Sequence, residues 1–312
     1  MVLQPVAFGP SDPRVQNSGG KLPQSVPIEF PALDGYPLRG SLYARDPESA
    51  PKTVVVFNAG AGLPISVYRN FRAFLSGTDS SVVAYDYRGV GGSAPRSFRG
   101  FDAGFEDWAE FDQAGAVAFA HMRYPQAQVA TVSHSIGCMI AAMAPNAGRA
   151  EQMVFIAPHI GYWRDYRWPW RIPMTMFWHV LMPLLAQSVG HFPGKWFGTG
   201  VSLPRRFALQ WARQTKTGEL NRTLMSGETR ERLLENAKKL RLPALVLTFE
   251  DDAFVSDTAC ARFVQVLPRI RPIRKHLDCT PEQIGHWDFF RRRNRQHWAV
   301  VRSFLETPLR LG

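Results

Sequence analysis

Val132-Ser133-His134-Ser135-Ile136-Gly137-Cys138 sits where an apolar run, Val129 to Val132, gives way to small apolar residues. That is the setting of a nucleophile elbow, a tight strand-to-helix turn that lifts a serine hydroxyl above a sheet. The usual pattern is Gly-x-Ser-x-Gly, and Ser133 stands at the first glycine. Serine is small enough for the turn, at the cost of some strain. The plainer alternative is that Ser135 merely caps a helix. A serine hydroxyl is a poor nucleophile alone. It needs a base to take its proton and donors for the oxyanion it creates.

Working outward, Val26 to Phe30 and Leu38 to Ala44 flank Asp34-Gly35 and read as an antiparallel hairpin. Thr53 to Phe57 and Ser81 to Tyr85 are continuous apolar runs of the kind buried on both faces of a sheet. Between them lie a glycine-rich turn, Asn58 to Gly62, and a helix from Tyr68 to Leu75. The strand–helix rhythm continues through Met153 to Ala157. It resumes with Ala244 to Phe249, a helix from Asp257 to Leu267, a strand from Ile270 to Leu277 and a last helix from about Asp288 to Leu305. The expectation is an α/β fold, a mainly parallel sheet with helices on both faces.

The rhythm breaks in residues 161–227, which hold six of the nine tryptophans. This segment reads as a helical cap inserted over the carboxyl edge of the sheet, with residues 25–160 and 228–312 forming the core. Trp163 and Trp178 are the candidate substrate-binding residues within it. Its apolar run Ile172 to Leu185 contains two prolines and His179 and is too short to span a membrane. Residues 1–24, rich in Pro, Gly, Ser and Asn, read as a disordered segment.

The 312 residues carry a net charge of +11 and three unpaired-looking cysteines, Cys138, Cys260 and Cys279. That usage suits a reducing, cytoplasmic setting and argues against a disulfide framework or zinc cluster. No signal-peptide pattern opens the chain. Arg291-Arg292-Arg293-Asn294-Arg295 reads as the solvated face of a helix. The alternative is weak contact with phosphates, since no nucleic-acid motif accompanies it.

In this architecture the catalytic order is Ser, then acid, then His. Acids follow a buried strand at Glu250-Asp251-Asp252, and His286 lies in a later loop. Asp252 is the chosen acid, with Asp251 as the near alternative and Glu250 third. His276 falls within a strand and His297 on a helix face, leaving His286 as the base. His134 points away from the nucleophile and reads as support, while His159, His179 and His191 could line the cap. The oxyanion donors are expected to be the N–H groups of Ile136 and Gly60. The Asn58 to Gly62 turn lacks a P-loop ending and a dinucleotide glycine spacing, so no cofactor and no metal is expected.

With these residues in place, the chain resembles the α/β-hydrolase superfamily: Asn58 to Gly62, Asp86-Tyr87-Arg88-Gly89-x-Gly-x-Ser93, Ser133 to Gly137, Asp252 and Gly285-His286. More narrowly it looks like bacterial predicted hydrolases related to serine-aminopeptidase-like and lysophospholipase-like enzymes, through residues 58–64, Gly161-Tyr162-Trp163, His191 to Gly194, Phe249 to Asp252 and Gly285 to Arg291. The resemblance implies the fold, the Ser135–Asp252–His286 triad and a hydrolase, and little about substrate. The reading is a serine hydrolase that cleaves a carboxylic ester, less readily an amide or thioester, with an apolar or aromatic acyl group. An acyltransferase of the same fold and a catalytically silent binding protein are the alternatives. No specific nucleic-acid partner and no transmembrane segment are expected, and the oligomeric state is open.

Overall fold

The computed structural model describes residues 24–47, 50–77, 79–197, 200–218, 225–280 and 282–307. The N-terminal segment expected to be disordered lies outside these residues, apart from Gln24, which opens the first strand. The strands are β1 Gln24–Pro31, β2 Pro37–Ala44, β3 Thr53–Asn58, β4 Ser80–Tyr85, β5 Gln128–His134, β6 Gln152–Ile156, β7 His191–Phe192, β8 Leu203–Pro204, β9 Ala244–Phe249 and β10 Ile273–Leu277. Eight of them form one sheet in the order β1-β2-β4-β3-β5-β6-β9-β10. The β1–β2 and β2–β4 pairs are antiparallel and the rest parallel.

The central strands are buried along almost their whole length. This is why they are uninterrupted apolar runs: helices cover both faces of a parallel sheet, leaving no solvent side for polar residues. The parallel strands also end at one edge, and β5 and β6 are paired there, His134 opposite Ile156. Loops leaving that edge converge, which is the fold's contribution to chemistry.

Two expectations at the C-terminal end need correcting. β10 begins at Ile273 rather than Ile270, and it is an exposed edge strand. The last helix runs only from Ala299 to Glu306; residues 288–298 form short 3-10 turns with a kink at Asn294. The cause is tertiary. The Asn294 amide donates to the carbonyls of Gln283 and Asp288 at 3.1 and 2.9 Å, which holds its backbone out of the helix. In the arginine run, Arg291 pairs with Asp288 at 2.6 Å, Arg293 pairs with the same carboxylate, and Arg295 lies over Phe74.

Within residues 161–227 the chain folds into helices at Arg171–Met176, Met182–Val189 and Arg205–Thr217. A π-turn at Phe177–Leu181 joins the first two into one helix, Arg171–Val189. Pro183 follows that wide turn, where its missing N–H is tolerated. At 19 residues this is the one helix among those described that is long and apolar enough to cross a membrane by length and composition.

Arg88 anchors the loop after β4. Its Nε and backbone N–H bond Asp112 at 2.7 and 2.8 Å, and its terminal nitrogens grip Asp34 at 2.6 and 2.7 Å. Removing one partner from a buried pair strands the other charge. Asp112→Ala should therefore cost about 3 kcal/mol of stability in urea unfolding; an unchanged midpoint would show that Asp34 alone satisfies the guanidinium.

Candidate active site

Ser135 leaves β5 with φ +55°, a left-handed value that side-chain-bearing residues rarely adopt. The strain is held by its surroundings. The Ser135 N–H donates to Ile156 O at 3.0 Å, and Cys138 N–H donates to Ser135 O at 3.1 Å. Gly137 has no room for a side chain: a Cβ there would lie 2.6 Å from Ala59 O. Ser133 fits where glycine is usual because its hydroxyl has a partner, accepting from the Asn58 amide at 3.1 Å. Asn58 in turn accepts from the Tyr85 hydroxyl at 3.0 Å.

His286 Nε2 lies 3.0 Å from Ser135 Oγ, and His286 Nδ1 lies 2.8 Å from Asp252 Oδ2. A carboxylate only accepts, so His286 carries its proton on Nδ1 and turns a bare Nε2 to the serine hydroxyl. The other oxygen of Asp252 accepts from the N–H groups of Phe254 and Val255 at 2.8 and 3.0 Å. Burial pushes this carboxyl up, but His286 and the two N–H donors outweigh it and hold the pKa below its usual value. Asp252 thus stays ionised beside the imidazole.

The two neighbouring acids do different work. Asp251 accepts from Ile284 N–H at 3.0 Å and Gly285 N–H at 2.8 Å, clamping the loop that carries His286. Glu250 accepts from Cys279 N–H at 3.1 Å and lies at the surface.

His134, read as support, is a buried junction. Its Nε2 is 2.9 Å from His286 O, a pure acceptor, so Nε2 bears the proton. Its bare Nδ1 then accepts from the Tyr68 hydroxyl at 2.9 Å. Tyr68 Oη accepts from Gly60 N–H, also at 2.9 Å. This corrects the assignment of Gly60 as an oxyanion donor: its N–H is already committed. What glycine supplies at 60 is clearance, since a Cβ would lie 2.9 Å from His134 Nδ1 and 3.2 Å from Ser135 Cβ. The next N–H along the turn, that of Ala61, has no acceptor among the described residues, and neither has that of Ile136. Asp86 braces the turn from behind, accepting from Ile65 N–H at 2.7 Å and Gly92 N–H at 2.8 Å.

A second imidazole, that of His159, belongs to the centre. His159 Nε2 lies 3.0 Å from Ser135 Oγ, so two histidines bracket the hydroxyl. Ser135 has one proton; when it is given to His286, His159 must donate its own Nε2–H to Oγ. His159 Nδ1 is then left buried without a partner. The signal available in the sequence was position. His159 lies just past β6, which ends at the same sheet edge as Ser135.

The tryptophans divide. Trp178 packs edge-on to Trp211 at 6.1 Å, and Trp211 packs edge-on to His159 at 5.9 Å. Trp163 contacts His179 and Arg164 instead. Phe254 and Trp287 flank His286 at 5.1 and 5.4 Å. The centre is largely buried: Ser135 is 8% and His286 6% exposed. Two clefts, of about 610 and 760 Å³, lie elsewhere, one between Ser97–Asp102 and Val189–His191, the other around Gln152 and Asn236. The described residues hold no cluster of three or more metal-ligating side chains.

Residues 49–282 match the family model described as serine aminopeptidase, S33. Among solved structures, the Pyrococcus furiosus esterase Pf2001 is similar at 14% identity, with a TM-score of 0.55, 91% of this chain and 92% of that one being covered. The Pyrobaculum calidifontis esterase is similar at 17% identity and TM-score 0.53, covering 90% and 84%. The Pyrococcus horikoshii acylaminoacyl peptidase is similar at 16% identity and TM-score 0.54, covering 94% of this chain but 43% of that one. A search of curated proteins gives no match.

Gly137→Ala should cost about 2 kcal/mol or more, because the new methyl meets backbone rather than a yielding side chain; a urea midpoint equal to wild type would remove this constraint. A pH dependence also follows. Burial first, and His286 second, hold His159 down to about 3 and His134 well below its usual range. Both are neutral when folded and gain protons on unfolding below about pH 6.5. Their contribution is complete above that value and is lost as the pH falls from about 6.5 toward 3, by about 1.4 kcal/mol per pH unit per histidine. His159→Phe should flatten the urea midpoint against pH by one proton's worth. An identical slope would mean that His159 is protonated in the fold.

Proposed function

The chain belongs to the serine aminopeptidase S33 family, serine hydrolases of the α/β fold, and from that premise we propose that it cleaves carboxylic esters with Ser135 as nucleophile, His286 as base and Asp252 as the acid that orients His286. The observation that carries this is the continuous path Ser135 Oγ–His286 Nε2, 3.0 Å, and His286 Nδ1–Asp252 Oδ2, 2.8 Å.

His286 takes the Ser135 proton as Oγ attacks the ester carbonyl. The N–H groups of Ile136 and Ala61 receive the oxyanion. As the carbon–oxygen bond breaks, the imidazolium gives its proton to the departing alcohol and the acyl group stays on Oγ. Water, deprotonated by His286, then releases the acid and restores the serine. His159 donates to Oγ in the resting state, fixing the rotamer from which attack begins. Trp211, edge-on to His159, and Trp178 behind it form an apolar surface beside this centre and suit an apolar acyl group.

An ester fits better than the free amino end of a peptide. An α-ammonium needs an unpaired carboxylate. Among the described residues of the cap the one acid, Asp165, is bonded to Arg262 at 2.9 Å. Asp252, Asp251 and Glu250 are all engaged in the loops around His286.

The test is p-nitrophenyl ester hydrolysis across acyl lengths, beside aminoacyl p-nitroanilides. Ester turnover should dominate and vanish in Ser135→Ala. Asp252→Asn should lower kcat about 10⁴-fold, Asp251→Asn far less, and His159→Phe about tenfold. Faster cleavage of the anilides would overturn the ester reading, and residual full activity in Ser135→Ala would overturn the nucleophile.

A further inference from the structure

The helix Arg171–Val189 has two unlike faces. Inward, Met182 and Ala186 are fully buried, and Trp178 leads through Trp211 to His159. Outward, Ile172, Met176, Val180 and Leu184 are each at least half exposed. A four-residue spacing returns to nearly one face of a helix, and the wide π-turn at Phe177–Leu181 slows the remaining drift. Trp168 and Trp196, also exposed, lie just before and just after this helix in sequence. Soluble chains rarely leave so continuous an apolar stripe in water unless something covers it.

Charge indicates what covers it. Residues 161–227 carry nine Lys and Arg against two acids, and of the nine Arg206 is neutralised by Asp102, Glu106 and Asp107 from outside the segment. None of these charges falls between Ile172 and Val189. Arg164, Arg167 and Arg171 cluster at one end and Lys195 follows the other. An apolar helical face with cations and tryptophans at its ends is the make-up of a helix that lies in the plane of a bilayer. A second copy fits poorly, because a two-fold contact would set two such positive caps against each other. Spanning fits poorly too, because the inner face of the helix is already packed in the fold.

We propose that the outer face of the Arg171–Val189 helix docks flat on an anionic phospholipid bilayer, and that the ester hydrolysed at Ser135 is an amphiphile drawn from it. The second clause rests on the ester reading above; the first does not. The apolar stripe enters the acyl boundary while the flanking cations meet lipid phosphates, each contributing about 1 kcal/mol. The same helix that meets lipid outside packs inside, through Trp178 and Trp211, against His159 beside the nucleophile.

The experiment is co-sedimentation of the whole protein with vesicles of phosphatidylcholine alone and of equal parts phosphatidylcholine and phosphatidylglycerol. The protein should pellet with the mixed vesicles and only weakly with the neutral ones. Ile172→Glu/Val180→Glu should lower binding at least about tenfold, with p-nitrophenyl butyrate turnover in solution unchanged. In wild type, brominated lipid in the mixed vesicles should quench tryptophan fluorescence, a readout that needs no variant. Wild type that stays in the supernatant unquenched would overturn docking. So would a double variant, folded by its melting curve, that pellets like wild type. A dimer in sedimentation velocity that the double variant dissociates, without vesicle binding, would assign the stripe to a second copy instead. Docking without any ester turnover would leave the surface standing and sink only the substrate.

Discussion

Three loops meet around Ser135, and a single buried chain of hydrogen bonds joins them. Gly60 N–H gives to Tyr68, Tyr68 to His134, and His134 to the carbonyl of His286. Every member is satisfied and none has a choice of direction, because the chain ends on an acceptor that cannot donate. Such a network is worth more than its separate bonds. It fixes the tautomer of His134 and, through it, the seat of the loop bearing His286. Asp251 ties that loop a second time through Ile284 and Gly285. The backbone of His286 is thus held from two directions, leaving only its ring to turn.

The elbow illustrates how a departure from a sequence pattern is absorbed. Glycine is dispensable at 133, because a small hydroxyl finds the Asn58 amide in the space beside it. It is not dispensable at 137, because the atoms that a side chain would meet are main-chain oxygens. The two positions look equivalent in a five-residue motif and differ in what surrounds them.

Much of the fold was legible because its causes are local. Continuous β-branched runs announce strands covered on both faces, and their alternation with helices announces a parallel sheet. The Ser135, Asp252 and His286 residues were legible from order and loop position, and the structure brings their side chains together. What was not legible depends on neighbours in space. His159 meets Ser135 because β5 and β6 are paired and end together, a relation that sequence distance hides. Gly60 lost its expected role to a tyrosine eight residues on. Asn294 breaks the final helix through carbonyls outside that helix, and Pro183 fails to break another because a π-turn precedes it.

The burial of Ser135 has a thermodynamic side. Where only a fraction of molecules presents a buried centre to a ligand, the apparent affinity is the intrinsic affinity multiplied by that fraction. If about one molecule in a hundred is open, every ligand in solution loses about a hundredfold. Anything that prefers the open arrangement restores that factor without touching the reacting atoms. With Ser135 and His286 as buried as they are, access is a separate contribution to affinity from the residues that line the centre.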